Sequence, residues 1–127
     1  MADRINLSGD FRGSIINIKS TLTNVQQSVG QIRTDDQSAR KELEKLIGEL
    51  SEALQKVPEK NQEQAEAVAE TAKALVDTAK AEKPNKVMLQ ISGEGLKQAA
   101  KNLADVMPFV VAIASQIVLT VAKLTGL

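Results

Sequence analysis

Hydrophobic positions along this chain fall into blocks of helical period broken by proline, and the last block is apolar almost throughout. From Val106 to Ala122 (VMPFVVAIASQIVLTVA) only Pro108, Ser115, Gln116 and Thr120 interrupt it. Written as a helix rising about 1.5 Å per residue, the run spans roughly 25 Å, at or just below the thickness of a bilayer's hydrocarbon core. Gln116, Thr120 and Lys123, at i, i+4 and i+7, form its one polar stripe, so this helix is expected to be buried on nearly every side. The middle of an assembly or a membrane offers such burial. Phe109, Ile113, Gln116, Ile117 and Leu124 are therefore candidate contacts of one kind or the other.

Three further blocks precede it. Leu43, Ile47, Leu50, Leu54 and Val57 step alternately by four and three residues, a heptad seam, with Arg40/Glu44, Lys45/Glu49 and Glu52/Lys56 at i, i+4 on its flanks. Leu43, Ile47, Leu50 and Leu54 are its candidate assembly contacts. Thr34 and Gln37 have capping-box spacing, and Asp35 and Asp36 lie where a helix dipole favours negative charge, which predicts a start near Thr34 and a stop at Pro58. The next helix, about Glu59 to Lys80, has the seam Ala65, Val68, Ala69, Ala72, Leu75, Val76 and Ala79. At about 25 cal/mol per Å² such small residues gain little on burial, so this helix is expected to depend on partners on both sides.

Lys83-Pro84-Asn85 is the next break, with Asn85 a predicted N-cap. The helix after it carries Val87, Leu89, Ile91, Leu96, Ala99, Ala100, Leu103, Val106 and Met107 and contains Gly93 and Gly95. An internal glycine costs about 1 kcal/mol relative to alanine, so the pair marks a bend, a close helix crossing or a hinge. Pro108 imposes a second bend or a restart, and the final helix then runs from about Phe109 to Lys123 and stops at Gly126. Gly93, Gly95 and Pro108 form the candidate hinge.

The first 32 residues read differently. Ile16 and Ile18 alternate with Asn17 and Lys19 in the period of a half-buried strand, Ser8-Gly9-Asp10 supplies turn chemistry, and INLSGDFRGSIINIKSTL has the pattern of a short hairpin. Phe11 and Ile16 are then expected to be buried against the helices or between chains, and Phe11, Ile16 and Ile18 are candidate assembly contacts. The competing reading is a helix from near Ser20, on which Leu22, Val25, Val29 and Ile32 keep helical spacing.

Composition narrows the function. Sixteen basic residues balance sixteen acidic ones, so no basic excess exists to drive nucleic-acid binding, and nucleic acid is not expected as a partner. Cysteine and histidine are absent, which removes disulfides, thiolate nucleophiles, imidazole bases and the commonest metal ligand. No apolar core occurs in MADRINLSGD, and a cytoplasmic location is expected, with membrane association if the last helix meets lipid.

Motifs that resemble chemistry have simpler accounts. Ser92-Gly93-Glu94-Gly95 after an apolar stretch suggests a phosphate loop, yet the dinucleotide pattern needs a third glycine where Gln98 stands, and no Gly-Lys-Ser or Gly-Lys-Thr occurs. Glu63, Glu66 and Glu70 share a helix face, but helical di-iron sites pair such residues with histidine, so a solvated charged face is expected. Asp35 and Asp36 are explained by helix capping. No cofactor is implied.

Gly9 to Val25 (GDFRGSIINIKSTLTNV) and Gly95 to Leu119 (GLKQAAKNLADVMPFVVAIASQIVL) resemble segments of small bacterial proteins, frequent in cyanobacteria. Those proteins share glycine-containing β prefixes with STAND-type NTPase and caspase-like conflict systems. GDFRG is also similar to one turn of a pentapeptide repeat, and Val25 to Gly30 (VQQSVG) to short amyloid-type signalling motifs whose amide ladders pair between chains. The resemblance implies a signalling or immunity setting with a protein partner and brings no catalytic residues.

The expected architecture is mainly α: one domain over residues 1–127, an antiparallel bundle of three to four helices after a short N-terminal β element. The expected function is a non-enzymatic, homo-oligomerising interaction module. The alternative is a membrane-inserting, pore-forming effector that uses the helix over residues 106–124.

Overall fold

The computed structural model describes the backbone of residues 2–126 and the side chains of residues 11–126. Its elements are five α-helices: α1 (Ala2–Val29), α2 (Gln37–Leu54), α3 (Gln62–Ala79), α4 (Lys86–Lys101) and α5 (Pro108–Thr125), with one 3₁₀ turn (Glu59–Asn61) before α3. α1 packs on α2 and α3, α4 packs on α3 and α5, and α5 closes on α2. The result is a ring in the order α1, α2, α5, α4, α3. Neighbours run antiparallel except α1 and α3, whose C-terminal ends meet where Lys80 Nζ donates to Ser28 Oγ at 3.4 Å. An odd number of helices in a ring requires one such parallel pair.

No strand occurs among the described residues, and the expected β element is absent. α1 takes up the prefix from Ala2 to Val29, including Ser8-Gly9-Asp10, whose side chains lie outside the described residues. The reason is visible in the packing. Phe11, Ile15, Ile18, Leu22, Val25, Val29 and Ile32 step by four and three, and this seam faces the core: Phe11 and Ile15 are partly buried, and the other five fully. Strand propensity in the isoleucines yields to that burial. Ile16 lies off the seam and is 63% exposed, contrary to the expected burial, whereas Ile18 is 1% exposed. Within VQQSVG, Gln26 Nε2 donates to the Glu44 carbonyl of α2 at 2.8 Å, so that amide joins two helices of one chain.

The α1–α2 connection is tied by Arg40, whose Nη2 donates to the carbonyl of the buried Ile32 at 2.6 Å. The N-cap of α2 is Asp36, accepting from Ala39 N at 2.9 Å; Thr34 Oγ1 instead accepts from Asp36 N, so the expected capping box is replaced by a cap two residues later. α2 buries its heptad seam completely.

α3 buries every residue of its small seam and, as expected, has a partner on each side, α1 and α4. Asn85 caps α4, its Oδ1 accepting from Val87 N at 2.8 Å and Met88 N at 3.1 Å. Asn85→Ala is expected to lower stability by about 1 kcal/mol, read as a shift in the denaturant midpoint with unchanged slope.

α4 runs unbroken through both glycines, and Gly93 lies at a close crossing with α5. A Cβ on Gly93 would come 3.2 Å from Val118 Cγ1 of α5, and one on Gly95 would come 3.7 Å from Thr71 Cγ2 of α3. Pro108 occupies the first turn of α5, where its missing N–H costs nothing, and Gly126 ends that helix in the left-handed conformation at φ 70°.

Candidate interaction surface

Closing the ring places α5 at the periphery, between α2 and α4, and this decides which of its residues are covered. Val110, Ala114, Ile117, Val121 and Leu124 step by four and three and are buried in the bundle. Thr120 is buried too, its Oγ1 donating to the Gln116 carbonyl at 2.8 Å, whereas Gln116 and Lys123, the other two members of the polar stripe, are exposed. The opposite side of α5 is open: Pro108, Phe109, Ala112, Gln116, Leu119, Ala122 and Lys123 are exposed, and Leu119 is 63% accessible. Burial on nearly every side is thus not met inside one chain, where a third of the helix is buried.

The outer faces of the other helices differ in kind. α2 presents Lys41, Glu42, Lys45, Glu49 and Glu52 to solvent, α3 presents Glu63, Glu70 and Lys73, and α4 presents Lys86, Glu94 and Lys101. α5 offers no charge before Lys123. Six of the seven large hydrophobic side chains exposed among the described residues lie on α4, α5 or the turn between them: Val87, Met88, Ile91, Val106, Phe109 and Leu119. Ile16 is the seventh.

The expected contact residues therefore separate. Leu43, Ile47, Leu50 and Leu54 of α2, Ile18 of α1, and Ile117 and Leu124 of α5 are core residues of the bundle. Phe109 and Gln116 are exposed, and Phe11 and Ile113 are partly buried. Leu119, Ala112 and Ala122, which the stripe reading passed over, form the middle of the open face. A second heptad spacing, opposite the first, could have shown them.

Two recesses lie between pairs of helices. A mainly apolar cleft of about 150 Å³ between α4 and α5 is lined by Leu75, Leu89, Gly93, Val118 and Val121, with the exposed Lys86 and Glu94 also on its wall. A polar groove of about 270 Å³ between α1 and α3 brings Asn17, Thr21 and Asn24 beside Glu66 and Glu70. No group of three or more acidic residues is arranged to hold a metal among the described residues. Glu66 and Glu70 thus share a helix face without a third ligand.

This arrangement defines a five-helix bundle whose α5 has an outer face free of charge up to Lys123, with further exposed apolar side chains on the neighbouring α4. No family model, curated protein or solved structure matches the chain.

Proposed function

We propose that the chain is a non-enzymatic interaction module that associates with copies of itself through the outer face of α5, in the signalling or immunity setting that its resemblances imply. The observation that carries this reading is the contrast between α5 and its neighbours. Charged residues line the outer faces of α2 and α3, and on α4 they are interspersed with the exposed Val87, Met88 and Ile91, while the exposed positions of α5 carry no charge up to Lys123 and hold proline, phenylalanine, alanine, glutamine and leucine. A contiguous apolar face rimmed by polar residues is what a protein contact requires, and scattered single leucines are not.

Leu119 is the test position, because it is exposed and a lysine there has no folded neighbour to disturb. Leu119→Lys is expected to convert the multimer to a monomer by light scattering while helicity and melting temperature stay near those of the parent chain. An unchanged mass would place the contact elsewhere.

One observation favours a second reading, in which α5 meets lipid. α5 is long and apolar enough to cross a bilayer by length and composition. In that case the chain releases dye from liposomes, and Leu119→Lys abolishes release from a protein that was monomeric in solution from the start. Multimeric mass with intact liposomes supports the protein contact.

A further inference from the structure

We infer that two copies of the chain pack their α5 helices against each other in opposite directions, about a two-fold axis crossing the middle of the helix; this rests on the self-association proposed above. α5 carries two heptad seams on opposite sides. Val110, Ala114, Ile117, Val121 and Leu124 form the buried one. Pro108, Ala112, Ser115, Leu119, Ala122 and Gly126 repeat the same spacing on the outer side, where all are exposed except the half-buried Ser115. A seam of that period suits a second helix lying alongside, and its small residues let the axes approach closely.

Direction follows from charge and from size. The residues from Val106 to Ala122 are uncharged, with the exposed Asp105 at one end and the exposed Lys123 at the other. Neither makes a salt bridge among the described residues. Antiparallel pairing brings the Asp105 end of each copy toward the Lys123 end of the other and opposes the two helix dipoles. Parallel pairing sets Lys123 beside Lys123. Packing width points the same way: in parallel, Leu119 meets Leu119 while Ala112, Ser115 and Ala122 meet their own small equivalents, which leaves gaps. In antiparallel, Leu119 falls opposite the Ala112–Ser115 stretch and the layers even out.

Eighteen residues of helix offer a face about 27 Å long, on the order of 500 Å² per copy, against roughly 800 Å² per partner in a standard stable interface. The pairing is therefore expected to be reversible at micromolar concentrations.

The absence of cysteine makes the test direct. Ser115→Cys, near the axis, is expected to form an intermolecular disulfide under mild oxidation. Ala122→Cys alone is expected not to, because its equivalents lie about 15 Å apart along the axis, beyond the reach of a disulfide. Mixing Ala122→Cys with Ala112→Cys should cross-link faster than either variant alone. Self-cross-linking of Ala122→Cys as fast as that of Ser115→Cys would overturn the antiparallel arrangement. Absence of cross-links at Ser115 and in the mixture, from a chain that light scattering finds multimeric, would also overturn it while leaving self-association standing. A chain that stays monomeric at every concentration removes both.

Discussion

Ile117→Asp is expected to prevent folding in plain buffer, with loss of the cooperative thermal transition and of most helical circular dichroism. Ile117 is fully buried, in the seam that α5 turns toward the bundle, and no basic residue belongs to the core around it. A carboxylate there loses its hydration without a partner, and the isoleucine's packing is lost with it, at a cost of several kcal/mol. A domain of this size is stable by about 5–15 kcal/mol, so the substitution removes a large part of the total. The effect does not depend on what covers the outer face of α5. A soluble, helical Ile117→Asp chain with a normal melting temperature would show that this helix undocks freely from the bundle, as a membrane-inserting segment must. Gln116→Leu, one residue away and about 100° around the helix, probes the exposed side: its replacement leaves the fold intact and reports only on what docks there.

The contrast between those neighbours marks how far the sequence could be read. Seams of α2 and α3 were legible residue by residue, because heptad spacing and flanking charge point to the same face and proline bounds each block. Asn85 and Gly126 were legible for a related reason: cap chemistry is local. The inner and outer sides of α5 were not, since both carry apolar residues at heptad spacing and hydrophobicity alone does not say which side the rest of the bundle covers. The polar residues misled here. Thr120 satisfies its hydroxyl within its own helix and can be buried, so it does not mark a wet surface. Gly93 presented a similar ambiguity between hinge and crossing, and only the position of Val118 on the neighbouring helix shows the crossing.

The prefix was misread for a different reason. Ile16 and Ile18 satisfy a two-residue period over four positions, whereas the helical period needs the longer window from Phe11 to Ile32 before it dominates. Gly9, Gly13 and the β-branched cluster lower helix propensity locally by tenths to about 1 kcal/mol each, which argues for a strand. Burying Ile18, Leu22, Val25, Val29 and Ile32 together outweighs this, at about 1.5–3 kcal/mol for each large aliphatic side chain. Local preference was legible; the partner surface that overrides it was not.

Two substitutions separated by one residue test that account. On a strand Ile16 and Ile18 share a face, so Ile16→Asp and Ile18→Asp should damage the protein alike. On α1 they are about 200° apart around the helix axis, one accessible and the other enclosed. Ile18→Asp is therefore expected to cost several kcal/mol, abolishing or deeply lowering the thermal transition, because its carboxylate would face the core between α2 and α3. Ile16→Asp is expected to change stability by no more than about 0.5 kcal/mol, as a surface substitution away from caps and contacts does. Denaturant midpoints measured on the two variants and the parent chain decide the matter. Equal losses would restore the strand, and a large loss at Ile16 alone would mean that this side of α1 is covered by another molecule.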